Sequence, residues 1–198
     1  GESRAVVESS PHLEAFKDKD VEVLFLTDTV DELMVQSLTE HQGKKLKSIG
    51  KGTVELGTEE EREAQKKALE EKEKDLTGLL ERLQKLLDTN VKQVRLTNRL
   101  TTSPVCLVGA EHDYSPQMER LLQKGKGGGP KQRRIMELNP EHEILRRLQK
   151  RFESDPADPK IKDYAELLFG YGLIAEGSEL EDPVAFNHAM AELMTHSI

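Results

Sequence analysis

Apolar residues recur along this chain at two spacings, a helical one of three to four residues and short continuous runs suited to strands, and the change from one to the other divides it into elements. Ser10-Pro11 is an N-cap followed by a first-turn proline, and Leu13 and Phe16 behind it predict a short helix at about 10–18. Residues 21–26 are nearly all apolar and rich in strand formers, which suits a strand covered on both faces. Asp31 and Glu32 then open a helix carrying Leu33, Met34 and Leu38, with the acids placed to complement its dipole. One strand is not a sheet, so residues 45–49 and a strand upstream of Gly1 are expected to pair with 21–26.

Residues 50–58 hold three glycines and no sustained period, the pattern of a connector. The stretch 59–74 is almost wholly charged, yet Leu69, Leu76, Leu80, Leu83 and Leu87 fall at helical spacing, so one long helix is predicted whose early part is a solvated face. Strand character at 94–96 and 105–108 predicts a hairpin or an adjacent pair. Tyr114, Met118, Leu121 and Leu122 form a narrow stripe after a Ser115-Pro116 start, predicting a short amphipathic helix, weakly tethered because glycine-rich residues 125–130 follow it. A strand at 134–138 comes next. Asn139-Pro140 then marks a helix with Ile144, Leu145, Leu148 and Phe152 as its buried stripe.

The end of the chain is the most apolar part. A helix from Lys160 to Ile174, stopped by Gly177, carries Ile161, Tyr164, Ala165 and Leu168 on one face and Leu167, Tyr171 and Ile174 on another. A last helix after Asp182-Pro183 aligns Phe186, Met190 and Leu193. Tyr164, Leu168, Tyr171, Phe186, Met190 and Leu193 together exceed what one subunit buries, so a homodimer through these two helices is expected. The fold class is α+β, with residues 1–50 as a small unit, 51–90 as connector and long helix, and 91–198 as a second domain.

Composition narrows the function. A net charge of −8 argues against general affinity for nucleic acid, although Lys131, Arg133 and Arg134 leave a local basic spot. Cys106 is the single cysteine, flanked by Val105 and Leu107, which predicts an inert buried thiol and excludes an intrachain disulfide. No run approaches the ~20 apolar residues that cross a bilayer, and GESRAVVESS lacks a secretory core, so no membrane partner and a reducing cytosol are expected. The first residue is Gly, as in a piece of a longer protein.

Catalytic chemistry is thin. HEILR at 142–146 begins like a zinc-protease helix but has Arg146 where the second histidine belongs, and Lys126 in its glycine-rich segment lacks the spacing of a phosphate loop. The six histidines show no i, i+4 pair, so surface or capping roles are expected. No catalytic, cofactor or metal residue is assigned, and an α/β-enzyme fragment is the weakest of the readings considered.

Five blocks in order resemble the heat-shock protein 90 chaperone family, in its bacterial branch. They are SPHLEAF at 10–16, VEVLFLTD at 21–28, VRLTNRLTTSPVCLV at 94–108, IMELNPEH at 135–142 and LEDPVAF at 180–186. The resemblance implies that residues 1–50 end the family's middle domain as a small αβα unit, and that 91–198 is its dimerisation domain, whose last two helices form a four-helix bundle with a second subunit. It implies that the ATP-binding domain, with ATP and magnesium, lies upstream, so that this chain is not itself an enzyme. It places a mobile client-contact helix at 115–124, with Met118, Leu121 and Leu122, and puts Leu33 near a client-facing surface. The chain ends at Met194-Thr195-His196-Ser197-Ile198 without the acidic tail of eukaryotic members, so no tail-docked co-chaperone is expected, and bacterial cytoplasm is the implied location. Non-native proteins would then be the partners besides a second copy, and the alternative is a dimerisation scaffold with no client role.

Overall fold

A computed structural model of the chain describes residues 3–53, 55–124 and 132–195. The glycine-rich segment 125–130, Lys131 and His196 to Ile198 fall outside them.

The main body is built on three strands, β3 (Val91–Leu96), β4 (Val105–Val108) and β5 (Arg134–Leu138), preceded by the two-residue strands β1 (Glu40–His41) and β2 (Lys44–Lys45). The expected pairing of 94–96 with 105–108 does not occur. The order is β3-β5-β4, with β5 parallel to β3 and antiparallel to β4. All five residues of β5 are buried, as suits a central strand satisfied along both edges. At the free edge of β3, Gln84 Oε1 accepts the Val94 N–H at 2.7 Å, so a side chain takes the place of a fourth strand.

Strand alternation sends β4 to two cores. Val105 and Leu107 join Leu79, Leu83, Val91, Met136 and Leu138 in the large one, whereas Cys106 and Val108 meet Leu100 and Ile135 in a small one. The large core is closed by α4 (Glu59–Leu86), which packs on β3, by α7 (Lys160–Ala175), which packs on β4, and by α6 (Glu143–Ser154). A capping box starts α4, where Thr58 Oγ1 accepts from Glu61 N and Glu61 Oε2 from Thr58 N. None of its side chains before Leu79 is buried, as the charge run foretells. α6 begins three residues later than Asn139-Pro140 suggests, because Asn139 Oδ1 accepts from Glu141 N in a turn and His142 becomes the N-cap, its Nδ1 accepting from Ile144 N at 3.2 Å.

The first region divides in two. A helix the sequence reading missed, α1 (Arg4–Glu8), is followed by a 3-10 turn at Pro11–Leu13 and α2 (Glu14–Asp18). Leu13, Ala15 and Phe16 are buried there. Residues 21–27 form no strand, and Val21 and Leu24 lie 41% and 67% exposed. The strand expected at 45–49 shrinks to β2, which pairs with β1 across a turn with positive φ at Gln42 and Gly43. Strand formers make a strand only where a neighbour takes up the backbone N–H and C=O groups. Among the described residues no further helix or strand follows this hairpin until α4, while α3 (Thr29–Ser37) precedes it with no buried residue.

Candidate interaction surfaces

The last helix, α8 (Pro183–Thr195), buries none of its residues although Val184, Phe186, Met190, Leu193 and Met194 lie along it. It is held to α7 at a close crossing. A Cβ on Gly170 would come within 2.6 Å of the Phe186 ring, so only glycine lets the two helices meet there. Gly177, at φ +78°, makes the turn between them. Among the six residues expected at a dimer interface, Leu168 is buried at 5% exposure within its own chain, and Tyr164 packs half-buried on the large core. Phe186 and Leu193 are half-buried, while Tyr171 and Met190 stand 42% and 38% exposed. Ile174, placed from sequence on the second apolar face of α7 but not among the six, is more exposed still at 53%, as are Val184 and Met194 at 79% and 59%, neither of which was assigned to the interface from sequence. Helical spacing marks a stripe but not which stripe the chain's own body consumes.

The amphipathic helix is α5 (Pro116–Lys124). Met118, expected to face a client, is only 7% exposed and is taken up by the chain itself, whereas Leu121 and Leu122 lie open at 39% and 45%. Leu33 on α3 is 60% exposed rather than core. The structure also brings these separately predicted places together. Ser115, whose hydroxyl accepts from Met118 N at 3.0 Å, donates to Glu32 Oε2 at 2.6 Å, joining the start of α5 to α3. Leu33, Leu121 and Leu122 are thus carried by neighbouring elements.

Beneath these surfaces lie charge networks that the sequence reading passed over. Glu137 Oε1 accepts from Arg95 Nη2 at 2.6 Å and its Oε2 accepts from Arg99 Nε at 2.8 Å, with all three side chains largely buried. The two guanidinium groups also donate to Gly52 O at 3.1 and 3.0 Å, and Arg99 Nη1 donates to Ile49 O. The connector is therefore pinned to the sheet, with Gly52 N and Gly109 N completing the attachment through Gly109 O and Gly50 O. Glu14 adds a second tie, since its carboxylate accepts from Thr101 N, Thr102 N, Ser103 N and Ser103 Oγ at 2.5–3.2 Å. Burial opposes its ionisation, but these hydrogen bonds together bring its pKa below the ordinary value. A signal existed for Glu137: it is an acid between Met136 and Leu138 in a segment of strand character.

His12 departs from the expected surface role. Burial, with Arg99 nearby, lowers its pKa to about 4, and its Nδ1 is buried without a hydrogen-bond partner. Burial pushes the Cys106 thiol well above its ordinary value, in keeping with an inert cysteine. A cleft of about 260 Å³ lies over Lys19, Lys72 and Arg99. Its cations are engaged within the chain, Lys19 by Leu56 O, Lys72 by Glu141 and Arg99 by Glu137. Among the described residues no three His, Cys, Asp or Glu side chains are grouped to hold a metal, and no helix is long and apolar enough to cross a membrane.

Comparison with known proteins places the chain in a family. The chain is 46% identical over its whole length to the chaperone protein HtpG of Nocardia farcinica, and 46% identical to that of Rhodococcus jostii, spanning 31% of each. It is also 46% identical over 98% of its length to the chaperone protein HtpG of Geobacter metallireducens, of which it spans 30%. The family model described as Hsp90 protein matches residues 1–198, and with identity at this level from end to end, the chain belongs to the Hsp90 family.

Proposed function

We propose that residues 1–198 serve an ATP-dependent chaperone as the part that joins two subunits and contacts non-native clients. The observation that carries this is the gathering of exposed apolar side chains on two pairs of helices: α8 with the end of α7, where Tyr171, Ile174, Val184, Met190 and Met194 are exposed, and α5 beside α3, where Leu33, Leu121 and Leu122 are. A contiguous apolar patch is normally avoided unless it binds something. The α7–α8 surface ends in a helix with no buried residue, which suits a second copy of itself, with an interface of at least roughly 1,000 Å². The α5–α3 surface sits on two nine-residue helices, which suits transient contact with varied chains. ATP and magnesium would be held outside residues 1–198, and a bacterial cytoplasm is the compartment that fits the reduced Cys106.

Two substitutions at exposed positions test the halves separately. Met190→Glu should convert the dimer to a monomer in light scattering at micromolar concentration while helix content stays unchanged. Leu121→Ser with Leu122→Ser should weaken suppression of aggregation of a chemically denatured test protein and leave both mass and melting temperature in place. A monomeric wild type would remove the first half. Unchanged suppression in the double variant would leave a dimerisation scaffold without a client role.

A further inference from the structure

Helix α5 is fastened to the body largely by charge. Of its side chains, Met118 and Glu119 are buried, and Leu121, Leu122 and Gln123 are exposed. Glu119 Oε2 accepts from Arg134 Nη2 at 2.6 Å, and its Oε1 accepts from Gln132 N at 2.8 Å. A second acid reaches the same guanidinium. Glu176, the C-cap residue of α7, accepts from Arg134 Nε at 3.3 Å, and its other oxygen accepts from Ser178 Oγ at 2.6 Å. The side chains of Arg134, Glu119 and Glu176 are 6%, 10% and 5% exposed. Three elements, β5, α5 and the α7–α8 turn, thus meet on one arginine.

The two acids are not free to separate. Arg120, next to Glu119, donates from Nη1 to Gly177 O at 2.9 Å, so α5 is tied to the turn that Glu176 begins. That turn is itself fixed, with Gly177 N donating to Ile174 O and Ser178 N to Leu173 O. Two carboxylates beside one guanidinium leave an excess negative charge where water screens little. Consistent with this, burial and the charge of Glu119 hold the Glu176 carboxyl above its ordinary value although Arg134 and Ser178 oppose the shift. Asp113, whose charge also acts on this region, is engaged by Lys92 at 2.7 Å.

We propose that Arg134 is a shared latch for which Glu119 and Glu176 compete, so that the seating of α5 and the conformation of the α7–α8 turn are coupled with opposite sign. Strengthening one pair draws the guanidinium from the other. Such coupling is reciprocal by linkage. The coupling belongs to these side chains; its meaning, that client contact at α5 and the aim of the dimer helix α8 influence each other within a subunit, rests on the function proposed above.

Amide hydrogen exchange on the full chain at neutral pH, without client, tests the latch. Glu176→Gln leaves Arg134 to Glu119 and should slow exchange in α5 by about three- to tenfold, and Glu119→Gln should speed it by about tenfold while slowing residues 177–182. Loss of protection in α5 on Glu176→Gln, or no change there, overturns the proposal, because a purely structural contact can only loosen when removed. Should Glu119→Gln fail to fold, the sign of the Glu176→Gln effect decides alone. Dimer mass measured on the same samples separates failure of the latch from failure of the dimer assignment.

Discussion

Residues 21–26 and 105–108 are close to interchangeable as sequence, VEVLFL against VCLV, and they have opposite fates. The second is β4, fully buried, with its two faces in two cores and its backbone paired to β5. The first takes no regular structure and lies at the surface with Leu24 67% exposed. The difference resides in what surrounds each segment rather than in either one. β4 has a central strand beside it, α7 over one face and the 11–13 turn near the other, while residues 21–26 run between α2, where Val21 N donates to Phe16 O, and α3, with no strand paired to them among the described residues. Strand propensity is a statement about fitting a half-buried pleated surface, and it becomes structure only when that surface is supplied.

The contrast is broken most severely from the buried side. Glu137→Gln on β5, beside β4, strips two buried guanidinium groups of their counter-charge and should cost about 3–5 kcal/mol of unfolding free energy in a urea titration. A destabilisation under 1 kcal/mol would show the arginines to be solvated and the pinning of the connector unimportant. The next effect is pH-dependent and acts where the 11–13 turn meets the body. His12 binds fewer protons folded than unfolded, so stability should fall as pH drops from about 6.5 towards about 4, where the folded ring itself titrates. Glu14, with its lowered pKa, contributes stability that is present above the ordinary carboxylate value of 4.5 and lost as pH falls through the lower folded value. The two windows follow one another. A melting series in which His12→Phe leaves the upper window unchanged would remove His12 as its cause. The smallest effect is expected on the exposed side, where Leu24→Ser should shift stability by no more than about 0.5 kcal/mol. A loss of 2 kcal/mol or more there would mean that the segment is packed in solution and that the contrast with β4 is false.

Much of the chain was legible because its signals are local. The leucines that bury the second half of α4, the Gly177 stop of α7 and the bounds of β4 follow from residue spacing and turn chemistry. The five blocks in family order were legible too, and the comparisons agree with them. Sequence reading went astray where an outcome depends on residues far along the chain. It could not place β5 between β3 and β4, since strand order is set by which loops cross which faces. Met118 and Leu121 sit on one apolar stripe, and the stripe carries no mark that the first is covered and the second open.

What the sequence by itself determined is the run of elements from α4 onward and the excess of apolar surface at the end of the chain, because period, caps and composition act within a few residues of each other. Only the tertiary structure decided the charge chemistry. Glu137 finds Arg95 and Arg99 from 42 and 38 positions away, and Arg134 gathers Glu119 and Glu176 from 15 and 42. The chain holds 37 acids and 29 basic residues. Their ordinary place is in water, and nothing in their spacing says which few are drawn inside; burial alone selects them, by making an unpaired charge too costly to keep.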